Sequence, residues 1–147
     1  MPAACPDSLT ITGASSFAAM PLLYALLRRQ PQRLLLCDEP DAIADLQPQL
    51  LPWCEQQGIK TDLQWCCLEP QAALPQLPAR QWLIHANNVR AEELLQSNST
   101  AAVRRNIVAT QQLLAALPAG GVPLVLLSSH LAARRDGVAG STLAAAE

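Results

Sequence analysis

The feature that most constrains the fold is a pair of apolar strands separated by a helical pattern near the start of the chain. A β-rich run at 9–12 ends in Gly13, and a turn of small residues leads into helical periodicity over about 17–29. A second apolar strand at 33–37 ends at Asp38. A crossover of this kind is right-handed and makes its two strands parallel neighbours. In dinucleotide-binding folds, an acid at the end of the second strand binds the adenosine ribose.

The remainder of the chain continues this alternation of strands and helices. Further strands are expected at 61–68, 82–86 and 122–129, and the last of these reads as the clearest buried strand. Helices are expected at 39–57, with an interruption at Pro48 and Pro52, at about 99–117, and at 138–147. The pattern predicts one α/β domain over 1–147, a doubly wound parallel sheet of about five strands in the order 3-2-1-4-5, with helices on both faces.

Apolar spacing predicts which side of each helix packs on the sheet. The inner positions are expected to be Phe17, Met20, Leu23, Tyr24 and Leu27 in the first helix, Ile43, Leu46, Leu50 and Leu51 in the second, and Ala102, Ile107, Leu113 and Leu114 in the third. Gly58 is expected to terminate the second helix as its C′ residue.

Composition excludes several classes of function. A formal charge of −2 and scattered arginine pairs argue against nucleic acid as a partner. No apolar run reaches the roughly 18–20 residues that span a bilayer, and no signal peptide is apparent. Five cysteines without metal-ligand spacing indicate a reduced, cytoplasmic setting and no metal site. Adjacent Cys66 and Cys67 are expected on opposite faces of a strand, which disfavours a redox pair between them.

Two ungapped stretches carry a resemblance to a known family. Residues 85–110 follow the pattern HAAAxKHVPLMExNPxEAVxTNVxGT, and residues 128–147 follow STDKAVxPTNxMGATKRxAE. On these motifs the chain resembles the extended short-chain dehydrogenases/reductases, in particular the CapD-like polysaccharide biosynthesis family of nucleotide-sugar 4,6-dehydratases and epimerases. The resemblance implies a Rossmann-like NAD(P)-binding domain that lacks the family's C-terminal substrate domain.

The cofactor positions of the family are only partly retained. Its TGAGGSIG turn corresponds to 12–19, where Gly13 is kept but Ser16 and Ala19 replace the second and third glycines. Asp38 matches the ribose-binding acid, although a turn or helix-start residue is an equal interpretation. The family's adenine-contacting acid falls on Cys67. The positions implied for weak or vestigial cofactor binding are Gly13, Ser15, Ser16, Phe17, Asp38, His85 and Ala86; for His85 a structural role is favoured.

The catalytic positions of the family are largely lost. Ser129 matches the serine or threonine after strand 5, but His130 replaces an aspartate, and the YxxxK pair falls on Ala139 and Leu143. Alanine cannot relay a proton, and leucine offers neither charge nor hydrogen bond. No catalytic residue is therefore expected. A Ser129–His130 nucleophile pair is disfavoured, because adjacent strand-end side chains diverge and no carboxylate orients the histidine.

The leading hypothesis is a catalytically inactive domain of this lineage, a binding or assembly module linked to polysaccharide biosynthesis. It implies a homodimer or a larger protein partner, and no cofactor. The alternative is a sensor that binds NAD(H), a nucleotide or a nucleotide-sugar weakly through Gly13 and Asp38. An active dehydratase or epimerase is the third hypothesis, and it would require new catalytic groups.

Overall fold

The sheet has five parallel strands, and their order confirms the prediction. The computed structural model of the protein describes residues 6–68, 77, 81–86 and 99–127, with the backbone alone for 99–106. The strands are β1 (Ser8–Thr12), β2 (Arg33–Asp38), β3 (Asp62–Cys67), β4 (Trp82–His85) and β5 (Leu124–Leu126). They lie in the order β3-β2-β1-β4-β5, and each neighbouring pair is parallel.

Helices lie on both faces of this sheet. They are α1 (Ala19–Leu27), α2 (Pro40–Gln56) and α3 (Ser99–Ala116). Leu23 of α1 and Leu50 of α2 share one buried cluster with Leu34 and Leu36 of β2. On the opposite face, Leu113 of α3 packs with Leu83 and with Leu35, which alternates in direction with its neighbours in β2. The result is the expected three-layer α/β/α arrangement.

Helix α1 is shorter than its sequence pattern predicts, and Phe17 does not pack on the sheet. The helix starts at Ala19, and the Phe17 side chain in the preceding turn is 89% exposed. The prediction for Phe17 is wrong because this residue lies before the first turn of the helix. Within the helix, the predicted inner residues Leu23 and Leu27 are completely buried. Full burial of one such leucine contributes about 1.5–3 kcal/mol.

Helix α2 is continuous through both prolines, contrary to the predicted interruption. Pro48 and Pro52 lie inside a 17-residue helix. Both are exposed, so the carbonyl groups that lose an N–H partner lie on the side facing water. The helix then ends as predicted. Gly58 has φ of 65°, and the N–H of Ile59 bonds to the Cys54 carbonyl at 2.9 Å, as in a Schellman motif.

Several apolar residues predicted to face inward lie at the surface. Leu51 is 43% exposed, and Ile107 and Leu114 of α3 are 51% and 53% exposed, whereas Leu113 is buried. Strand β5 is three residues long and exposed throughout, not the most buried strand. It forms an edge of the described sheet and has one strand neighbour, β4. The predicted helix at 138–147 lies outside the described residues.

Candidate functional site

The candidate site lies where the parallel strands end. Thr12, Asp38, Cys67 and His85 close strands β1 to β4 at one edge of the sheet. Strand β1 lies between β2 and β4, so the chain changes direction across the sheet at this point. Ligands of doubly wound α/β proteins bind in the crevice outside the carboxyl ends of the strands at such a switch.

The turn after β1 depends on Gly13. Its φ is 69°, a conformation that costs other L-residues about 1–2 kcal/mol. The Gly13 N–H donates to the carbonyl of Cys37 at 2.8 Å, and the Ser16 N–H donates back to the Gly13 carbonyl at 3.0 Å. These bonds attach the turn to the end of β2 and direct the chain into α1.

Ser16 acts as a cap for the first turn that leads into α1. Its hydroxyl accepts from the Ala19 N–H at 3.2 Å, and its carbonyl accepts from the Met20 N–H at 3.0 Å. Serine in place of the family's second glycine therefore occupies the Ala19 N–H, an amide that would otherwise be available to a phosphate. Ala19, at the third glycine position, is completely buried, which shows that its methyl group fits against the sheet.

Two amides of the same turn remain available. Among the described residues, the backbone N–H groups of Phe17 and Ala18 have no hydrogen-bond partner. Both residues are exposed. Unpaired amides at the start of a helix attract anions, because they point outward and lie at the positive end of the helix dipole.

Asp38 is turned toward the glycine turn. Its side chain is 6% exposed; one carboxylate oxygen accepts from the Ser15 N–H at 2.7 Å and the other from the Glu39 N–H at 2.9 Å. A carboxylate has about four lone-pair sites, so two bonds leave acceptor capacity for hydroxyl groups. Asp38 therefore stabilises the turn and retains lone pairs that can accept hydrogen bonds from the hydroxyl groups of a ribose.

His85 connects β1 to α3. Its Nδ1 lies 2.6 Å from the Thr12 hydroxyl and its Nε2 lies 3.1 Å from the Thr110 hydroxyl. Burial lowers the pKa of His85, so the ring is neutral near pH 7, with one nitrogen donating and the other accepting. The neighbouring Ala86 is buried, and its N–H donates to the Thr12 carbonyl at 2.9 Å. These hydrogen bonds join the ends of β1 and β4, where the chain changes direction across the sheet.

A cysteine pair that sequence reasoning did not identify lies beside these residues. Cys37 and Cys66 are register partners on β2 and β3, and Thr12 is the partner of Cys37 on β1. Interaction between the two thiols raises the pKa of Cys37 and lowers the pKa of Cys66 to about 7, and the Cys66 thiol donates to the Cys67 carbonyl at 3.9 Å. The signal available in the sequence was that each cysteine lies one residue before the end of its strand.

The family's catalytic positions, Ser129, His130, Ala139 and Leu143, lie outside the described residues. Within the described ranges, no group of three or more His, Cys, Asp or Glu side chains is arranged to hold a metal ion. No helix in these same ranges is both long and apolar enough to cross a membrane.

Comparisons with known proteins indicate the fold. No protein-family model and no curated protein matches the chain. Among solved structures, it is similar to Pen from Bacillus thuringiensis, with a TM-score of 0.56 and 14% identity over 78% of this chain and 35% of that chain. A malate dehydrogenase from Naegleria fowleri ATCC 30863 aligns with a TM-score of 0.48 and 14% identity, over 81% of this chain and 38% of that one.

The chain therefore spans between 35% and 38% of the length of these two structures. At such low identity the likeness to Pen shows the fold alone. Together with the strand order and the all-parallel pairing, it shows that the protein has a Rossmann-type α/β fold.

Proposed function

We propose that the chain is a Rossmann-type domain of short-chain dehydrogenase/reductase descent that binds a nucleotide weakly and does not catalyse the family's reaction. The observation that carries this proposal is the 2.7 Å bond between the Asp38 carboxylate and the Ser15 N–H. It brings the only buried carboxylate among the described residues to the glycine turn, beside the unpaired amides of Phe17 and Ala18.

The two halves of this site suit the two halves of an adenosine diphosphate group. Asp38 retains lone pairs for the hydroxyl groups of a ribose, and the Phe17 and Ala18 amides suit the oxygens of a pyrophosphate. Hydrogen bonds to charged groups contribute about 1.5–3 kcal/mol each. NAD(H) carries both chemical features, as do ADP-ribose and ADP.

Two features keep this binding weak. The Ser16 hydroxyl occupies the Ala19 amide and adds a side chain on the expected path of the phosphate. Cys67 closes β3 where the resembled family has an acid that contacts adenine. The proposed affinity is therefore micromolar to low millimolar, which suits a sensor better than a permanently bound cofactor.

The absence of family catalysis follows from residue chemistry. Ala139 and Leu143 stand in place of the tyrosine and lysine that transfer protons and bind the nicotinamide ribose in the resembled family. Neither side chain has an ionisable group. A role in polysaccharide biosynthesis and a cytoplasmic location are part of the proposal, and both rest on the resemblance of 85–110 and 128–147.

Isothermal titration with NAD, NADH, NADP, ADP-ribose, ADP and a UDP-sugar tests this function. We expect saturable binding of the adenosine nucleotides and little difference between ADP-ribose and NAD, because the site contacts the adenosine half. Asp38→Asn should weaken binding about 10-fold to 100-fold, the loss of one charged hydrogen-bonding group.

Asp45→Asn provides the matched control, because Asp45 is an exposed carboxylate on α2. It should leave the affinity unchanged, and circular dichroism should show that both variants are folded. Absence of heat for every ligand, or equal binding by the Asp38 and Asp45 variants, would contradict a nucleotide site at Asp38.

A second candidate function, an assembly module, is favoured by a separate observation. Apolar side chains are exposed on two elements that follow one another in the chain, Ile107 and Leu114 on α3 and Leu124, Val125 and Leu126 on β5. Exposed apolar surface of this kind is typical of proteins that contact another protein. A homodimer or a larger partner would cover them. A single monomeric species in light scattering at high protein concentration would argue against the homodimer.

A further inference from the structure

The positions of Cys37 and Cys66 are suited to a bond between neighbouring strands. They are register partners in the parallel pair β2–β3, so both side chains lie on the same face of the sheet. Neighbouring strands are about 4.7–4.9 Å apart, within the range of about 4.4–6.8 Å between the Cα atoms of a disulfide. The two thiols also interact, since Cys37 lowers the pKa of Cys66 to about 7.

The other described cysteines are placed less well for pairing with either of them. Cys67 follows Cys66 in β3, points to the opposite face and is the register partner of Asp38. Cys54 packs in the core formed with α1 and α2, on the face opposite to Cys37. The four cysteines in the part of the chain that the structure describes all carry free thiols.

We propose that Cys37 and Cys66 form a reversible disulfide, and that this bond is a thiol switch acting on the Gly13 turn. Cys66 is half-buried and is the attacking thiolate, since its interaction with the Cys37 thiol lowers its pKa to about 7. Cys37 is 1% exposed and acts second, protected from direct attack by solutes.

The oxidant is a small-molecule disulfide such as oxidised glutathione. The Cys66 thiolate attacks one of its sulfur atoms, which forms a mixed disulfide and releases one thiolate. Cys37 then gives up its proton and attacks the sulfur of Cys66, which releases a second thiolate and closes the Cys37–Cys66 bond. The two protein thiols lose two electrons and two protons, and one external disulfide becomes two thiols.

Strand spacing makes this bond reversible. Side chains of register partners in parallel strands project side by side, so their Cβ atoms are about as far apart as the strands themselves. The mean Cβ–Cβ distance in relaxed disulfides is shorter, roughly 3.8 Å, so the two Cβ atoms must move toward each other when the bond forms. A bond under such strain is reduced more easily than a structural disulfide. A regulatory bond requires this property.

The pair is connected directly to the candidate nucleotide site. The Cys37 carbonyl accepts from the Gly13 N–H at 2.8 Å, and the next residue, Asp38, accepts from the Ser15 N–H at 2.7 Å. Drawing Cys37 toward β3 therefore pulls on both bonds that hold the turn. An effect on nucleotide affinity rests on the proposed function, whereas the disulfide and its effect on the turn do not.

The bond is best tested with the full chain carrying Cys54→Ala and Cys67→Ser. After incubation in glutathione buffers of increasing oxidation, trypsin digestion without reductant separates residues 34–60 from 61–80, which then hold one cysteine each. We expect a linked pair of these peptides that reductant dissociates. In the same background Cys37→Ser should leave a glutathione adduct on Cys66, and Cys66→Ser should leave Cys37 unmodified. Persistent adducts on Cys66 with Cys37 present, or no linked peptide, would overturn the proposal.

Amide exchange measured by NMR tests the effect on the turn without any nucleotide. Oxidation should accelerate exchange of the Gly13 and Ser15 amides by about fivefold or more, the lower end of typical couplings between sites. The Ile59 amide, which bonds to the Cys54 carbonyl in the Schellman turn, should not change. A linked protein with unchanged Gly13 and Ser15 exchange would overturn the switch. If the turn responds and no nucleotide binds, only the proposed function fails.

Discussion

Restoring a glycine at position 16 should strengthen nucleotide binding, although it removes a hydrogen bond from the folded protein. The Ser16 hydroxyl holds the Ala19 N–H at 3.2 Å. Ser16→Gly releases this amide beside those of Phe17 and Ala18 and removes the Cβ atom from the path of the phosphate. Ser16 has no positive φ, so the glycine is not needed for backbone conformation.

The magnitude follows from the bonds exchanged. Glycine in place of a serine cap costs only a few tenths of a kcal/mol of stability, roughly, because it is tolerated at that position. A new bond from a backbone amide to a phosphate oxygen contributes about 1.5–3 kcal/mol. After the cost of ordering the turn is subtracted, a net gain of about 1–2 kcal/mol corresponds to roughly 5–30-fold tighter binding.

The assay is titration of ADP-ribose into the original protein, Ser16→Gly and Ser16→Ala. Alanine frees the same amide but keeps the Cβ atom, so comparison of the two variants separates competition by the hydroxyl from steric exclusion. Equal gains for both indicate hydroxyl competition, and a gain for glycine alone indicates exclusion. A folded Ser16→Gly protein that binds no more tightly than the original would refute the assignment of this turn as a phosphate site.

Two further predictions concern stability. Gly13→Ala and Gly58→Ala both place a side chain at positive φ, 69° and 65°. Each variant should lose about 1–2 kcal/mol of unfolding free energy, and its Tm should fall by about 2–4 °C for each kcal/mol lost. Only Gly13→Ala should also weaken nucleotide binding, so equal effects of the two variants on binding would contradict the site. Because burial lowers the pKa of His85 below its usual 6.5, the unfolded chain binds a proton that the folded chain does not, so unfolding free energy should fall as pH drops below about 6.5. His85→Asn should reduce this acid sensitivity in urea titrations at pH 7.5 and 5.5, whereas a pH dependence identical to that of the original protein would show that His85 is not the responsible group.

The strand order was predictable because the signals that determine it are local. Apolar runs, the turn at Gly13 and the alternation of strands with helices require parallel neighbours connected by right-handed crossovers. The end of α2 was predictable for a similar reason, since Gly58 adopts a conformation that other residues avoid. The approximate position of the candidate site then follows from the fold, because the strands end at a common edge.

The sequence by itself determined periodicity, strand order and the chemical groups available at that edge. The tertiary structure alone decided which of those groups meet. The exposure of Phe17 and Ile107 depends on what lies opposite them, the Ser16 hydroxyl turns toward Ala19 because that amide lacks another partner, and Cys37 meets Cys66 only through the β2–β3 register. Helical and strand patterns repeat every few residues, whereas register, burial and hydrogen bonds across the sheet arise from residues far apart in the chain.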